Sequence, residues 1–473
     1  MLNKSIFRSY DVRGIYPDEI NEEVAYEIGK GFAQMVKEKK APTLSDPPTG
    51  GEATKSSVPA KAGNQKIRVI VGRDMRIGSP ALRKGLVRGL TEQGIDVDDI
   101  GLVTVDALYF ATGKYKYDGG VMVTASHNPK EYAGMKFIGP NFTWIRGLEL
   151  KEYLEKNPEI IPAEKTGGIV EKDITQEYIR HAILFVDVEK IKPLKVVVDA
   201  GNGMMGKMMP EFAKHIPCEI IPLFFELDGN FPNHPSNPLE PESQIAITKK
   251  VVEEGADIGA IFDGDSDRLF FIDETGKFIT ADITLILLAK HMLKKYPGKG
   301  IGYSLNCSKA VPEFITKMGG RPLRSKVGFV NVSDTTKKND GVLSGERSAH
   351  YAFRENFYAD SGLIAFAIVL QILSESNEKF SKLVGEYDIY KSTGEINLKI
   401  QNIKEVIEKI KEKYKDGKQD ELDGLVVEYP NWWFLARPSN TEPLLRINLE
   451  ADTEKLLEEK KNELIEFVKT VAK

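Results

Sequence analysis

Ile258-Gly259-Ala260-Ile261-Phe262-Asp263-Gly264-Asp265-Ser266-Asp267-Arg268 joins a short apolar run to an acidic loop, and Leu269-Phe270-Phe271-Ile272 resumes the apolar pattern behind it. Apolar, strand-length runs that end in polar residues read as buried strands delivering a loop. Three carboxylates at alternate positions repel one another unless a cation lies among them. Hard oxygen donors of this kind favour Mg²⁺, Ca²⁺ or Mn²⁺ over zinc. An EF-hand register starting at Asp263 reaches Glu274, but puts Arg268 where glycine belongs and a strand where the calcium loop should continue. A phosphatase-type aspartyl nucleophile and a solvated acidic turn remain the competing readings. The third Asp two residues on fits a metal cage better than either.

The same arrangement recurs along the chain. Ile67-Arg68-Val69-Ile70-Val71, Leu194-Lys195-Val196-Val197-Val198 and Lys299-Gly300-Ile301-Gly302-Tyr303-Ser304-Leu305 each open an α/β unit. Within each unit a second apolar run ends in a polar loop: Val121-Met122-Val123 before Thr124-Ala125-Ser126-His127, Ile258 to Phe262 before Asp263, and Val342-Leu343-Ser344 before Gly345-Glu346-Arg347-Ser348. Three related α/β domains in tandem account for the pattern, and open α/β sheets place ligands at strand ends, so the three loops are expected to converge on one cleft. From about Tyr387 the pattern changes. A strand at Glu395 to Ile400, a helix with Ile403, Val406, Ile407 and Ile410 on one face, and a closing helix with Leu457, Leu464 and Val468 describe a small α+β domain. Residues 41–66, with Pro42, Pro47, Pro48 and Pro59 and no aromatic residue, are expected to be a mobile surface insertion. The expected domain limits are 1–165, 166–275, 276–386 and 387–473.

Composition narrows the function classes. The chain has 473 residues, 41% of them hydrophobic, and 65 basic against 70 acidic residues give a net charge of −5. No overall field draws it to nucleic acid or anionic lipid, so an anionic ligand must be caught locally. Cys218 and Cys307, the two cysteines, stand far apart and are expected to be buried small hydrophobes. Met1 to Arg8 lacks the apolar core of a signal peptide, and the longest apolar run, Ile364 to Leu373, is too short to span a bilayer. A cytoplasmic protein with no membrane or nucleic-acid partner is expected.

Two further loops carry chemistry. Arg437-Pro438-Ser439-Asn440-Thr441-Glu442-Pro443 can wrap a phosphate, with paired guanidinium N–H groups plus hydroxyl, amide and backbone donors; taken alone, a capped polar turn explains it as well. Gly345-Glu346-Arg347-Ser348-Ala349-His350 offers a carboxylate and a hydroxyl of the kind that read sugar hydroxyls. Ser126 stands at a strand end beside His127 and Asn128, with Lys136 a few residues on. No Gly-x-Ser-x-Gly elbow surrounds it, so a phosphorylatable serine fits better than a protease-like nucleophile.

In this order the four loops resemble those of the α-D-phosphohexomutase family, the phosphoglucomutase and phosphomannomutase enzymes. Phe7-Arg8-Ser9-Tyr10-Asp11-Val12-Arg13-Gly14 resembles the family's amino-terminal signature, and Gly72-Arg73-Asp74 and Asp228 to Pro235 are further family-like stretches. The resemblance implies a heart-shaped, four-domain enzyme with a central cleft. Ser126 would be the phosphoserine and, with Asp263, Asp265 and Asp267, would hold one Mg²⁺. Glu346 and Ser348 would bind the sugar's hydroxyls, and Arg437, Ser439, Asn440 and Thr441 the phosphate that is not transferred. Tyr10, Arg13, His127, Asn128, Lys136 and Arg268 would line the transfer site, with Lys136 or Arg13 as the candidate general base.

The implied reaction interconverts hexose 1- and 6-phosphates of glucose or mannose through a hexose 1,6-bisphosphate, which also serves as activator. The enzyme would act on small sugar phosphates as a monomer or homodimer. Phosphoglucosamine mutase is the alternative within the family, and a metal-dependent sugar-phosphate phosphatase the alternative outside it. The chain departs from the family pattern at Asn306, where a lysine is replaced, at Phe329, where bacterial relatives often carry His, and at Arg347 and Ala349 of the sugar loop. These positions put the choice of sugar in doubt. Arg347 is expected to reach the ligand or to face solvent.

Overall fold

The computed structural model describes residues 3–40, 66–439 and 444–472. The chain divides into two compact units, one of Met1–Ile179, Asn202–Met209 and Glu226–Ser236, the other of Arg180–Gly201, Pro210–Phe225 and Asn237–Lys473. Of the expected insertion, 41–65 lies outside the described residues; Lys66 is described and pairs with Asp96 at 3.0 Å.

The first unit is built on a seven-stranded mixed sheet. Strands Gly119–Val123, Arg68–Arg73, Asp96–Leu102 and Ile169–Glu171 run parallel, while Tyr132–Gly139 and then Val12–Ile15 extend the sheet, each antiparallel to its neighbour. The central strands are covered on both faces, and Val69, Ile70, Val71, Val121, Met122 and Val123 are all fully buried, which is why they read as continuous apolar runs. Helices Glu22–Lys40 and Ser79–Glu92 cross through glycines: a Cβ on Gly85 would lie 2.0 Å from the Glu22 carbonyl oxygen, and one on Gly89 2.3 Å from that of Tyr26. Gly85→Ala is therefore expected to lower stability by about 1–2 kcal/mol, because overpacking outweighs the helix propensity alanine gains. A urea melt would show the lower midpoint.

Elsewhere, on strand Asp96–Leu102, buried Asp98 accepts hydrogen bonds from Arg68, Tyr117 and, at 2.6 Å, Lys172. Burial pushes its carboxyl upward, but the three donors outweigh burial and hold it below the usual carboxylate range. A carboxylate depressed in the folded state adds stability above its unfolded pKa, and that contribution is lost as pH falls through the folded value. Between about pH 5 and pH 2 the unfolding free energy of Asp98→Asn should consequently fall less steeply than that of the wild type.

The second unit holds three five-stranded sheets. In one, Glu219–Leu223, Lys195–Asp199 and Ile258–Phe262 are parallel, and Leu269–Asp273 folds back antiparallel with Phe262 opposite Leu269. In the next, Arg321–Ser325, Gly300–Ser304 and Gly341–Gly345 are parallel and Tyr351–Phe353 and Ala359–Asp360 antiparallel. The last is wholly antiparallel, with helices Ile403–Lys413 and Glu454–Val471 burying Val406, Ile410, Leu457, Leu464 and Val468 against it. Three mixed α/β sheets followed by an α+β sheet is the architecture the sequence pattern describes.

The apolar run Ile364 to Leu373 belongs to helix Gly362–Ser376, a core helix whose residues Leu363 to Leu370 are all fully buried. Ser361 caps it, accepting from the Ile364 N–H at 3.0 Å. Among the described residues no helix is long and apolar enough to cross a membrane. Cys307 is buried as expected, whereas Cys218 is only half-buried, its thiol donating to the Lys192 carbonyl at 3.5 Å; strand Glu219–Leu223, which follows it, lies at a sheet edge and offers less cover.

Candidate active site

In the first unit, strand Gly119–Val123 delivers Ser126. The strand's pairing ends as the Thr124 N–H donates to the Gly134 carbonyl at 2.9 Å, and the chain then turns sharply, with Ser126 in the left-handed region at φ 52°. That conformation costs a non-glycine residue on the order of 1 kcal/mol and persists only where the surroundings impose it. The imposing group is Arg76, whose side chain is fully buried. Its guanidinium donates to the carbonyls of Ser126 (2.5 Å), Asn128 (2.6 Å), Pro129 (2.8 Å) and Tyr132 (3.1 Å), and its Nε lies 3.4 Å from Asp74. The ring of Phe231 covers it at 4.9 Å. Burial pushes the Asp74 carboxyl up, opposed by Arg76 and by hydrogen bonds from Ser79 and Thr124.

Other expected residues gather on this loop. Ser126 Oγ lies 3.3 Å from His127 Nδ1, and Arg13 donates to Asn128 Oδ1 at 2.7 Å while its Nε and second amino group grip Asp11. Arg13 opposes Gly134 and Lys136 opposes Met122, and since Gly134 and Lys136 are two apart on one strand, Arg13 and Lys136 share a sheet face. Tyr10 is half-buried, with the Arg146 guanidinium 6.0 Å from its ring.

In the second unit, Asp263, Asp265 and Asp267 are buried, and one carboxylate oxygen from each lies within 4.8 Å of the others. The loop is held by the Ser266 N–H on the Asp263 carbonyl (3.1 Å) and the Arg268 N–H on Asp263 Oδ1 (3.2 Å). A buried all-carboxylate donor set suits a divalent cation that prefers hard oxygens. The loop rests on the core helix: a Cβ on Gly362 would lie 2.7 Å from the Ser266 carbonyl and 3.0 Å from the Phe262 ring. Asp267, His350 and Asp360 also bring ligand-type atoms within 4.8 Å. Both His350 nitrogens are engaged, however, Nδ1 with Asp360 at 2.5 Å and Nε2 with Arg268 Nε at 3.0 Å, so this group is a hydrogen-bond chain that orients Arg268.

Arg268 and His350 also form a backbone bridge that joins the acidic loop to the Glu346 loop. The Glu346 carboxylate accepts from the Gly328 N–H at 2.8 Å and from Ser348 Oγ at 3.3 Å. Ala349 stands at φ 67°, a left-handed conformation that favours glycine. Phe329 packs on His350, ring centroids 5.4 Å apart. Arg347 donates to Ser392 Oγ at 2.9 Å and to the Asn306 carbonyl at 3.4 Å, tying the loop to the C-terminal sheet. Arg437, on strand Trp432–Pro438, is 4% exposed and lies 3.6 Å from Glu395. The Ser439 N–H donates to the Leu444 carbonyl at 2.8 Å; Asn440 and Thr441 lie outside the described residues.

Sequence reasoning missed Arg76, Asp74 as its partner, His350 as an orienting group, and Asp360. The only sequence signal for Arg76 is a cation two residues past an acid at a strand end. Arg76→Leu is expected to cost about 3–5 kcal/mol, since it strands Asp74 and strips four carbonyls of their donor, and to abolish activity with the loop. Denaturant melts and turnover would register both.

Comparison with known proteins spans nearly the whole chain. Residues 50–149, 176–276 and 280–390 match alpha/beta/alpha domains I, II and III described for phosphoglucomutase/phosphomannomutase, and 395–467 match its C-terminal domain. The chain is 36% identical to a phosphomannomutase of Vibrio cholerae, covering 99% of each protein. It is 36% identical to a phosphomannomutase of Methanocaldococcus jannaschii, over 97% of this chain and 96% of the relative. A crystal structure of a phosphoglucomutase/phosphomannomutase family protein from Burkholderia thailandensis superimposes with a TM-score of 0.87 at 30% identity, over 99% of this chain and 98% of that one.

Proposed function

Because the chain belongs to the phosphoglucomutase/phosphomannomutase family of phosphohexomutases, isomerases that transfer phosphate intramolecularly, we propose that Ser126 carries the transferred phosphoryl group and that glucose or mannose phosphates are the substrates. The proposed domains end at residues 165, 275 and 386. What supports the reading is the union, in one unit, of a buried carboxylate trio with a sugar-type loop, bridged by Arg268 and His350.

In the first half-reaction the P–O bond to Ser126 Oγ breaks as a P–O bond to the free sugar hydroxyl forms, giving a hexose 1,6-bisphosphate. The proton of that hydroxyl goes to a base. Lys136 suits that role better than Arg13, since a guanidinium does not give up its proton in a protein and Arg13 is held by Asp11. After the bisphosphate turns end for end, the bond from its other phosphate to the sugar oxygen breaks as the P–O bond to Ser126 Oγ re-forms, and that sugar oxygen takes back the proton held by the base. Phosphoryl transfer is mostly positioning and charge neutralisation, which Arg13, Lys136 and Arg268 supply. Asp263, Asp265, Asp267 and the Ser126 phosphate would hold Mg²⁺, which supplies further neutralisation. Glu346 and Ser348 bind sugar hydroxyls, and Tyr10, His127 and Asn128 line the transfer site. Arg437, Ser439, Asn440 and Thr441 grip the resting phosphate. We place the enzyme in the cytoplasm as a monomer or homodimer, without nucleic-acid or membrane partners.

A coupled assay with glucose, mannose and glucosamine 1-phosphates tests the reading. Formation of glucose or mannose 6-phosphate, stimulated by the 1,6-bisphosphate, is expected. Steady release of inorganic phosphate in its place would make the chain a phosphatase.

A further inference from the structure

A cavity of about 640 Å³ opens in the first unit where strands Arg68–Arg73, Asp96–Leu102 and Ile169–Glu171 end. The three strands run parallel, so the cavity lies at their carboxyl ends, the edge at which open α/β sheets receive ligands. It is separate from the Ser126 loop, which follows the strand bordering Arg68–Arg73 on its other edge, and no residue assigned to phosphoryl transfer lines it.

The charges around the cavity are unevenly matched. Arg83 is ion-paired with Asp99, and Lys172 with Asp98 at 2.6 Å. Lys207 donates to the Leu102 carbonyl at 2.6 Å and Arg73 to the Asp74 carbonyl at 3.2 Å, and neither has a carboxylate within ion-pair distance among the described residues. Of the remaining acids, Asp173 is engaged by the Thr175 N–H at 2.9 Å and feels Lys207 from beyond ion-pair distance, and Glu171 is exposed to solvent. Burial lowers the pKa of the half-buried Arg73 guanidinium, with the nearby Arg83 adding to the effect and the Asp74 carboxylate opposing it.

We propose that this cavity binds a phosphate-bearing small molecule, with Arg73 and Lys207 as the principal anion ligands and Arg83 beside them. Its size suits a sugar phosphate or a nucleotide, small-molecule pockets commonly being about 300–1,000 Å³.

Calorimetric titration of the full chain and of an Arg73→Gln/Lys207→Ala double variant, with glucose 6-phosphate and with ADP, tests this. One binding event of the wild type is expected to weaken roughly tenfold or more in the variant, while kcat and KM for hexose phosphates stay at wild-type values. A loss confined to glucose 6-phosphate identifies a sugar-phosphate site, and a loss confined to ADP a nucleotide site. Identical titrations of the two proteins with both probes would overturn the proposal. Should the double variant melt abnormally, Lys207→Ala alone, at an exposed side chain, supports the same comparison. The readout is binding, so its outcome is separable from that of the mutase assay.

Discussion

Ser126→Ala is expected to yield a folded chain that takes up no phosphate from labelled hexose 1,6-bisphosphate and turns over at least about 10³-fold more slowly. The substitution is mild structurally. Arg76 grips the loop through the Ser126 carbonyl, and the Ser126 N–H donates to Thr124 Oγ at 2.9 Å, so both anchors survive loss of the hydroxyl. Alanine bears a left-handed φ at much the same strain as serine. What disappears is the oxygen that would carry the phosphoryl group, and His127, 3.3 Å away, can replace it only as a different nucleophile. Intact-mass measurement shows the missing phosphate, and the coupled assay the missing turnover. Wild-type turnover by this variant would remove Ser126 from the mechanism.

Asp265→Asn is expected to split activity from stability. Three buried carboxylates within 4.8 Å repel one another when no cation lies among them, so removing one charge should raise the melting temperature in the presence of a chelator. The same change should cut kcat by about 10²–10³-fold, since charge on the transferring group would be less well neutralised. Saturating Mg²⁺ should stabilise the wild type, by about 2.7 kcal/mol at a hundredfold excess over Kd, and the variant far less. A wild-type melting temperature indifferent to Mg²⁺ would contradict the assignment of a divalent ion to this loop.

Much of this was legible because strands announce themselves locally. Ile258 to Phe262 and Val121 to Val123 are apolar on both faces, and the polar residues behind them mark where the chain leaves the sheet. Long-range partnership leaves no such trace. Arg76 and Arg73 look alike in sequence, yet Arg76 is consumed by carbonyls from residues 126 to 132, 50 to 56 positions on. Arg347 was similarly opaque, because its partner Ser392 belongs to another sheet. The glycines at 85 and 89 carry the periodicity of a helix, but that they admit the backbone of Glu22 and Tyr26 depends on a crossing no local pattern encodes.

The seating of the acidic loop on helix Gly362–Ser376 has a dynamic corollary. The most deeply buried helix of a unit sets its slowest hydrogen exchange, and amides there open only with global unfolding. A loop braced against Gly362 inherits that persistence, whereas the Glu346 loop, bridged to it through Arg268 and His350, is tethered at Arg347 to the C-terminal sheet and takes up that sheet's fluctuations at that end. Exchange measured by mass spectrometry should thus find protection at residues 263–268 tracking that of 362–376. The acidic cluster would stay rigid over hours while the Arg347 end of the Glu346 loop breathes on a faster clock.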